Sequence, residues 1–204
     1  MTKIETLMRK APVIPVIVVD DVAHAAPLAR ALVAGGLPAL EVTLRTDAAL
    51  DAIAAMKEVP GAIVGAGTVT NPDELDRAIN AGAEFVVSPG LTEPLARAAI
   101  EQDVPFLPGI ANAGDIMRGL DLGLRQFKFF PAMAAGGLPA LKALAAPFHQ
   151  CQFCPTGGIG PSNAAEWLAF DPVLCVGGSW VAPRGAPDVE KIESLAREAA
   201  GLSA

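Results

Sequence analysis

A single lysine of this chain lies in an apolar stretch where a charged amine would be costly. Residues 124–132 read Leu-Arg-Gln-Phe-Lys-Phe-Phe-Pro-Ala, and Lys128 stands at the centre. Apolar surroundings disfavour the ammonium form, and a neutral lysine amine is a nucleophile that can form a Schiff base with a ketone. The alternative is a lysine at a strand end that extends its amine into solvent and takes no part in chemistry.

A carboxylate and a guanidinium share a second strand-like stretch, Glu-Val-Thr-Leu-Arg at positions 41–45. Glu41, Thr43 and Arg45 fall on one face of such a strand because strand side chains alternate. Glu41 is the best candidate for a general acid or base, since the chain has no tyrosine and its two histidines fall at a helix start and before a strand. The alternative is a local ion pair between Glu41 and Arg45 that only neutralises both charges.

Glycine-rich turns follow several other apolar runs. Gly-Ala-Gly-Thr at positions 65–68 ends with Thr68, whose hydroxyl could hold a substrate oxygen. One turn contains Gly157 and Gly158 and another contains Gly177 and Ser179; their free backbone N–H groups resemble the phosphate site of many barrels. The alternative is that these glycines serve turn geometry alone, and Ser-Pro-Gly at positions 88–90 is equally consistent with an ordinary turn.

The elements that would position these residues repeat one pattern: a short apolar run, a Gly, Pro or Asx residue, and a longer amphipathic segment. Strands are predicted at Val13–Val19, Pro38–Thr43, Ala62–Gly67, Glu84–Val87, Pro105–Leu107, Gln126–Phe129, Gln152–Cys154 and Val173–Val176. Helices are predicted at Val22–Ala34, Asp47–Lys57, Pro72–Ala81, Glu93–Glu101, Asn112–Leu122, Leu138–Ala145, Pro161–Ala169 and Val189–Ala200. A further helix, Lys3–Lys10, precedes the first strand.

Eight consecutive strand–helix units predict an α/β fold of the closed (β/α)8 (TIM) barrel type with an extra N-terminal helix. One domain spanning residues 1–204 is expected, because no linker-like stretch divides the chain. A doubly wound open sheet is the alternative, but the first strand–helix turn lacks its glycine-rich fingerprint. In a barrel the active site lies at the carboxyl ends of the strands, where the polar residues named above would meet.

The composition excludes several classes of function. A formal net charge of −7 without basic clusters argues against nucleic-acid and anionic-membrane surfaces, and no run approaches the ~20 apolar residues of a membrane-spanning helix. Three cysteines without a secretory pattern predict free thiols and a cytoplasmic protein. His149, Cys151 and Cys154 are closely spaced, but strand alternation turns the two cysteines to opposite sides, so no metal site is predicted.

Six segments match one family in order along nearly the whole chain. They are Glu-Val-Thr-Leu-Arg at 41–45, Gly-Ala-Gly-Thr-Val at 65–69, Ser-Pro-Gly at 88–90, Phe-Lys-Phe-Phe-Pro-Ala at 127–132, Pro-Thr-Gly-Gly-Ile at 155–159 and Gly-Gly-Ser-Trp at 177–180. In these segments the chain resembles the bacterial 2-dehydro-3-deoxy-phosphogluconate (KDPG)/4-hydroxy-2-oxoglutarate (KHG) aldolases. The resemblance implies a class I aldolase, a lyase without metal or other cofactor, on a (β/α)8 barrel that usually forms a homotrimer.

The resemblance also implies a reaction and a role for each matching residue. KDPG would be cleaved to pyruvate and D-glyceraldehyde 3-phosphate in the Entner–Doudoroff pathway, and KHG to pyruvate and glyoxylate. Lys128 would be the Schiff-base lysine and Glu41 the proton shuttle. The substrate-binding residues would be Arg45, Thr68, Pro89, Phe130 and Thr156, and the phosphate-binding residues Gly157, Gly158, Gly177 and Ser179.

The chain departs from the family at one helix start. Residues 111–115 read Ala-Asn-Ala-Gly-Asp, whereas family members usually show Thr-Pro-x-Glu. Asn112 can still cap the helix, with Asp115 in its first turn. The alternatives left open are an aldolase for the galactonate epimer (2-dehydro-3-deoxy-6-phosphogalactonate), an isomerase in which Lys128 is only electrostatic, and a silent barrel that binds a sugar phosphate. The last would have no need of both Lys128 and Glu41.

Overall fold

The computed structural model describes residues 1–202 and contains an alternation of parallel strands and helices. The strands are β1 (Val13–Ile17), β2 (Ala39–Thr43), β3 (Ile63–Gly67), β4 (Phe85–Val87), β5 (Phe106–Leu107), β6 (Gly109–Ile110), β7 (Gln126–Phe129), β8 (Gln152–Pro155) and β9 (Val176–Gly178). The helices are α1 (Lys3–Met8), α2 (Ala25–Ala34), α3 (Ala49–Lys57), α4 (Pro72–Asn80), α5 (Glu93–Glu101), α6 (Ala113–Asp121), α7 (Gly137–Ala145), α8 (Ala164–Leu168) and α9 (Val189–Ala200).

The strands form an α/β fold with a curled parallel sheet. One sheet has the order β5-β4-β3-β2-β1-β9, and β6, β7 and β8 form the other. Only Pro108 separates β5 from β6, and a proline has no N–H to donate to a strand ladder. The predicted fifth strand, Pro105–Leu107, therefore corresponds to β5 alone, and β6 is a short strand beyond Pro108 that was not predicted. Single parallel bridges join Phe153 to Val173 and Thr156 to Gly177, next to β8 and β9.

Burial explains why these runs became strands. All residues of β1 and β2 are buried, as expected for parallel strands that are covered on both faces. Apart from α1 and α9, each helix lies between two successive strands along the chain, and side-chain caps fix several of the helix starts. In α4, for example, the Asn71 side chain accepts a hydrogen bond from the Glu74 N–H at 2.9 Å, and Pro72 occupies the first turn.

Helix α1 covers the amino ends of the strands. Its apolar residues Ile4, Leu7 and Met8 belong to a buried cluster that also includes Phe85 and Leu107 of the strands. At its start, the Thr2 hydroxyl donates to the side-chain carbonyl of Gln126, the first residue of β7, at 3.1 Å. The opposite, carboxyl ends of the strands are left to form the cavity described below.

Several predicted boundaries were wrong at the ends of elements. The first strand ends at Ile17 rather than Val19, and a 3-10 turn, Val22–His24, precedes α2. The helix predicted from Pro161 begins only at Ala164. Asn163 explains this delay, because its side chain accepts from the Gly160 N–H at 2.9 Å and donates to the Gly158 carbonyl at 3.1 Å, which holds the preceding residues as a loop.

The structure also bears on two predictions made from composition. All three cysteines are free and buried, which agrees with the predicted absence of a disulfide framework. Among residues 1–202, no helix combines the length and the apolar character needed to cross a bilayer.

Candidate active site

A cavity of about 610 Å³ opens at the carboxyl ends of the strands, within the size range of small-molecule sites. All eleven residues predicted from the sequence line it: Glu41, Arg45, Thr68, Pro89, Lys128, Phe130, Thr156, Gly157, Gly158, Gly177 and Ser179. They come from six different strands or the turns that follow them, so the cavity exists only in the folded chain.

A buried polar contact in the cavity joins Lys128 of β7 to Glu41 of β2. The Lys128 amine Nζ donates a hydrogen bond to Glu41 Oε1 at 3.1 Å. The two side chains are only 7% and 4% exposed, so this is a buried ion pair rather than a surface one. Strands β2 and β7 belong to different sheets, and the two side chains therefore meet across the interior. Such a short contact allows a proton to pass between amine and carboxylate.

Two neighbours fix the environment of this pair. The Lys128 Nζ lies 5.3 Å from the centre of the Phe130 ring, close enough for an attraction between the cation and the ring face. On the other side, Gly67 of β3 leaves room for Glu41, because a Cβ at this position would stand 2.6 Å from Glu41 Cγ and 2.8 Å from its Cδ. The absence of a side chain at Gly67 thus decides where the carboxylate lies.

Thr68 and Thr43 illustrate two different roles for hydroxyl groups near the site. Thr68 has a φ of +61°, a left-handed conformation that is strained for a β-branched residue and is typical of functional positions. Thr68 lines the cavity. Thr43 shares a strand face with Glu41 by sequence, but its hydroxyl donates to the Ile17 carbonyl at 2.8 Å. Thr43 therefore ties β2 to β1 and is not part of the cavity lining.

The glycine turns after β8 and β9 form another part of the wall. Gly157 and Gly158 have φ values of +105° and +77°, which glycine adopts without strain. A Cβ at Gly177 would collide with the Thr156 hydroxyl, so the two turns are in close contact. The next helix begins only at Ala164 and has five residues, so the polar groups that these turns offer to the cavity are backbone N–H groups and not a helix N-terminus.

Seven other residues of the lining had no role assigned from the sequence, although Ile159 and Gly178 lie within the matched segments. The seven are Val16, Val18, Ile159, Gly178, Ala182, Pro183 and Arg184. Val16 and Val18 lie at or just after β1, where strand alternation alone could have indicated that they share a face. Arg184 lies in the loop between β9 and α9, which carries no periodic signal, and nothing in the sequence pointed to it.

Comparison with known proteins shows the family of this chain. The model of the family described as KDPG and KHG aldolase matches residues 4–195. The chain belongs to the KDPG/KHG aldolase family. One relative in this family, the 2-dehydro-3-deoxy-phosphogluconate aldolase of Zymomonas mobilis, is 61% identical over 99% of this chain and 97% of its own length.

Two solved structures of KDPG aldolases share the fold of the whole chain. The KDPG aldolase of Zymomonas mobilis with 3-phosphoglycerate is 60% identical, with a TM-score of 0.97, over 98% of this chain and 96% of that one. The enzyme of Legionella pneumophila, with pyruvate captured at low pH as a covalent carbinolamine intermediate, is 43% identical, with a TM-score of 0.94, over 98% of this chain and 99% of that one.

The helix start that departs from the usual family pattern is capped as the sequence predicts. The Asn112 side chain accepts from the Asp115 N–H at 3.0 Å, and the Asp115 carboxylate accepts from the Ala111 N–H at 2.9 Å. These two reciprocal bonds satisfy donors that a helix start otherwise leaves free. The departure from the family motif therefore preserves the local structure of this helix.

Proposed function

We propose that this protein is a class I aldolase that cleaves KDPG to pyruvate and D-glyceraldehyde 3-phosphate, and KHG to pyruvate and glyoxylate. The observation that carries the proposal is the buried contact of 3.1 Å between the Lys128 amine and the Glu41 carboxylate. A carbon–carbon lyase of this type needs a nucleophilic amine and a proton carrier within reach of one another. The name of the 61% identical relative supports the gluconate series over the galactonate epimer.

The reaction begins with proton transfer from Lys128 Nζ to Glu41, which leaves a neutral amine. The amine attacks the C2 carbonyl of the substrate, and the resulting carbinolamine loses water with protons supplied by Glu41, giving an iminium. Glu41 then takes the proton of the C4 hydroxyl as the C3–C4 bond breaks, and the bonding electrons pass into the iminium to form an enamine. The aldehyde leaves, C3 is protonated, and hydrolysis releases pyruvate and the free lysine.

The remaining lining residues would hold the two ends of the substrate. In this proposal Arg45, Thr68 and Thr156 bind the carboxylate, while Pro89 and Phe130 lie along the carbon chain. The backbone and hydroxyl groups at Gly157, Gly158, Gly177 and Ser179 bind the phosphate. What supports this division is that all these residues border one cavity, with the glycine turns grouped on its β8 and β9 side.

We also infer that the strands close into one (β/α)8 barrel and that residues 1–204 form a single domain. Counting β5 and β6 as one strand interrupted at Pro108 gives eight strands. The parallel bridges from Phe153 to Val173 and from Thr156 to Gly177 would join the two sheets between β8 and β9. The homotrimer and the cytoplasmic location stay predictions. A metal ion is not required in the proposed mechanism, because the iminium itself accepts the electrons of the breaking bond.

Trapping with borohydride tests the covalent step. When the protein is treated with borohydride in the presence of pyruvate and a chelator, we expect one reduced pyruvate adduct, since the imine is converted to a stable amine. Peptide mass mapping should assign the adduct to Lys128 and leave Lys142 unmodified. A protein that gains no mass, or gains it at another lysine, would contradict the proposed function. Loss of activity in chelator would contradict the metal-free mechanism.

A substitution at Gly67 tests the placement of the proton carrier. Gly67→Ala is expected to lower kcat by about 100-fold, since the new methyl group would displace the Glu41 carboxylate and a shift of about 1 Å can cost that much. Gly90→Ala is the matched control, because a Cβ at that exposed glycine would meet nothing within 4 Å. Steady-state kinetics that give both variants the same kcat would argue against the assigned position of Glu41.

A further inference from the structure

Arg184 is a charged residue of the cavity that the proposed function does not use. It lies in the loop between β9 and α9, five residues after Ser179, and lines the same cavity as the glycine turns. Its side chain is 67% exposed, so it stands at the mouth of the cavity and not in its depth. A long cationic side chain at this position can contact a ligand bound on the β8 and β9 side of the cavity.

Arg184 is held in place by Asp20, in the loop after β1. Its Nε donates to Asp20 Oδ2 and its Nη2 donates to Asp20 Oδ1, both at 2.7 Å. This two-pronged arrangement fixes the plane of a guanidinium more firmly than a single contact does. The hydrogen bond from Arg184 lowers the pKa of the Asp20 carboxyl, so the carboxylate stays charged around neutral pH. Among residues 1–202, Nη1 of Arg184 has no hydrogen-bond partner.

Two guanidinium groups of the lining can face a ligand, although that of Arg184 already pairs with Asp20. The charged residues of the cavity lining are Glu41, Arg45, Lys128 and Arg184. Lys128 and Glu41 neutralise each other, and within residues 1–202 Arg45 has no ion pair. Asp20, the partner of Arg184, is not part of the lining. The cavity thus presents one guanidinium after β2 and another after β9.

The positions of these two groups match a ligand with a negative charge at each end. Strand β1 lies between β2 and β9 in the sheet, so the carboxyl ends of β2 and β9 are about 10 Å apart. The proposed KDPG substrate has a carboxylate at one end and a phosphate at the other. Arg45 stands beside Thr68 on the carboxylate side, and Arg184 shares its loop with Ser179 on the phosphate side.

We propose that Arg184 is a specificity-determining residue that binds the substrate phosphate, and that Asp20 is the positioning residue that holds its guanidinium at the cavity mouth. This inference rests on the proposed aldolase function and goes beyond the phosphate contacts of the glycine turns. In the free enzyme Asp20 occupies one edge of the guanidinium and leaves the Nη1 edge for a phosphate oxygen. The contribution applies only to phosphorylated substrates, because KHG has no phosphate.

Removal of the guanidinium tests the proposal through a ratio of substrates. In Arg184→Ala, the ratio of kcat/KM for KDPG to kcat/KM for KHG is expected to fall about tenfold, as for the loss of one charge-assisted hydrogen bond. The change should lie in KM for KDPG, since the contact is the same in the ground state and the transition state. Arg184→Lys should recover part of the ratio, because lysine keeps the positive charge but lacks the planar guanidinium that forms two parallel hydrogen bonds.

Arg197→Ala is the matched control. Arg197 is 68% exposed and also pairs with a carboxylate, Glu193, but it lies on α9 away from the cavity. An unchanged ratio in Arg184→Ala, an equal loss on both substrates, or the same fall in Arg197→Ala would overturn the role of Arg184. A parent protein without activity on either substrate would instead overturn the aldolase function, and this inference with it.

The positioning role of Asp20 has its own readout. Asp20→Asn is expected to raise KM for KDPG about threefold with kcat nearly constant, because the guanidinium loses a charged partner and part of its orientation. Asp20→Glu, which keeps the carboxylate, should restore most of the KM. If Asp20→Asn leaves KM for KDPG unchanged, or lowers kcat on both substrates to the same extent, Asp20 does not position Arg184.

Discussion

Lys128→Met is expected to lower kcat for KDPG cleavage by about four orders of magnitude or more, as for the loss of a covalent nucleophile. Methionine is unbranched and similar in length to lysine without its amine, so it fills the same space in the cavity. Without the amine no iminium forms, and the C3–C4 bond has no acceptor for its electrons. Pyruvate release can be followed in a coupled assay, and the borohydride adduct should disappear in parallel.

Lys142→Met is the matched control, because it removes a lysine that has no role in the proposed reaction. The Lys142 amine lies 5.7 Å from the centre of the Phe170 ring, much as the Lys128 amine lies 5.3 Å from that of Phe130. Lys142 does not line the cavity, so the kcat of Lys142→Met should stay within about twofold of that of the parent protein. Circular dichroism should show that Lys128→Met is folded. Substantial turnover in a folded Lys128→Met would exclude the Schiff-base mechanism.

The contacts at the centre of the site were those most accessible from the sequence. Lys128 was noticed because an amine in an apolar run conflicts with its surroundings, and such conflicts mark functional positions in sequences that are otherwise consistent. Strand alternation then gave Glu41 and Arg45, and the rule that barrel sites lie at carboxyl strand ends gave the turns. Each of these signals depends only on neighbouring residues in the sequence, and folding then brings the residues together.

The contacts that sequence reasoning missed depend on long-range packing in loops. Asp20 and Arg184 are separated by 164 residues, and both follow strands in segments without periodicity. Thr43 shows another limit: strand alternation predicts the face on which it lies, but not that its hydroxyl donates a hydrogen bond to the Ile17 carbonyl. Similarly, the helix predicted from Pro161 starts late because Asn163 bonds to the loop before it, a competition that propensity does not reveal.

Glu41→Gln is expected to lower kcat by about 10²- to 10⁴-fold, the usual contribution of one positioned acid or base. Glutamine keeps the size of the side chain and can still accept a hydrogen bond from the Lys128 amine, but it cannot take up the proton of the C4 hydroxyl. KM should change much less than kcat, since Glu41 acts on protons in the transition state. Normal turnover in this variant would exclude Glu41 as the proton carrier.

The same substitution should also destabilise the fold, because it leaves the Lys128 ammonium without a counter-charge at a side-chain exposure of 7%. Breaking a buried ion pair by removing one partner costs about 3 kcal/mol of unfolding free energy, whereas replacing both partners can be nearly neutral. The double variant Lys128→Met/Glu41→Gln should therefore be more stable in urea than Glu41→Gln alone, yet inactive. If the double variant instead loses as much unfolding free energy as the two single variants together, the two side chains are not coupled. The low kcat of Glu41→Gln could then not be attributed to the contact between them.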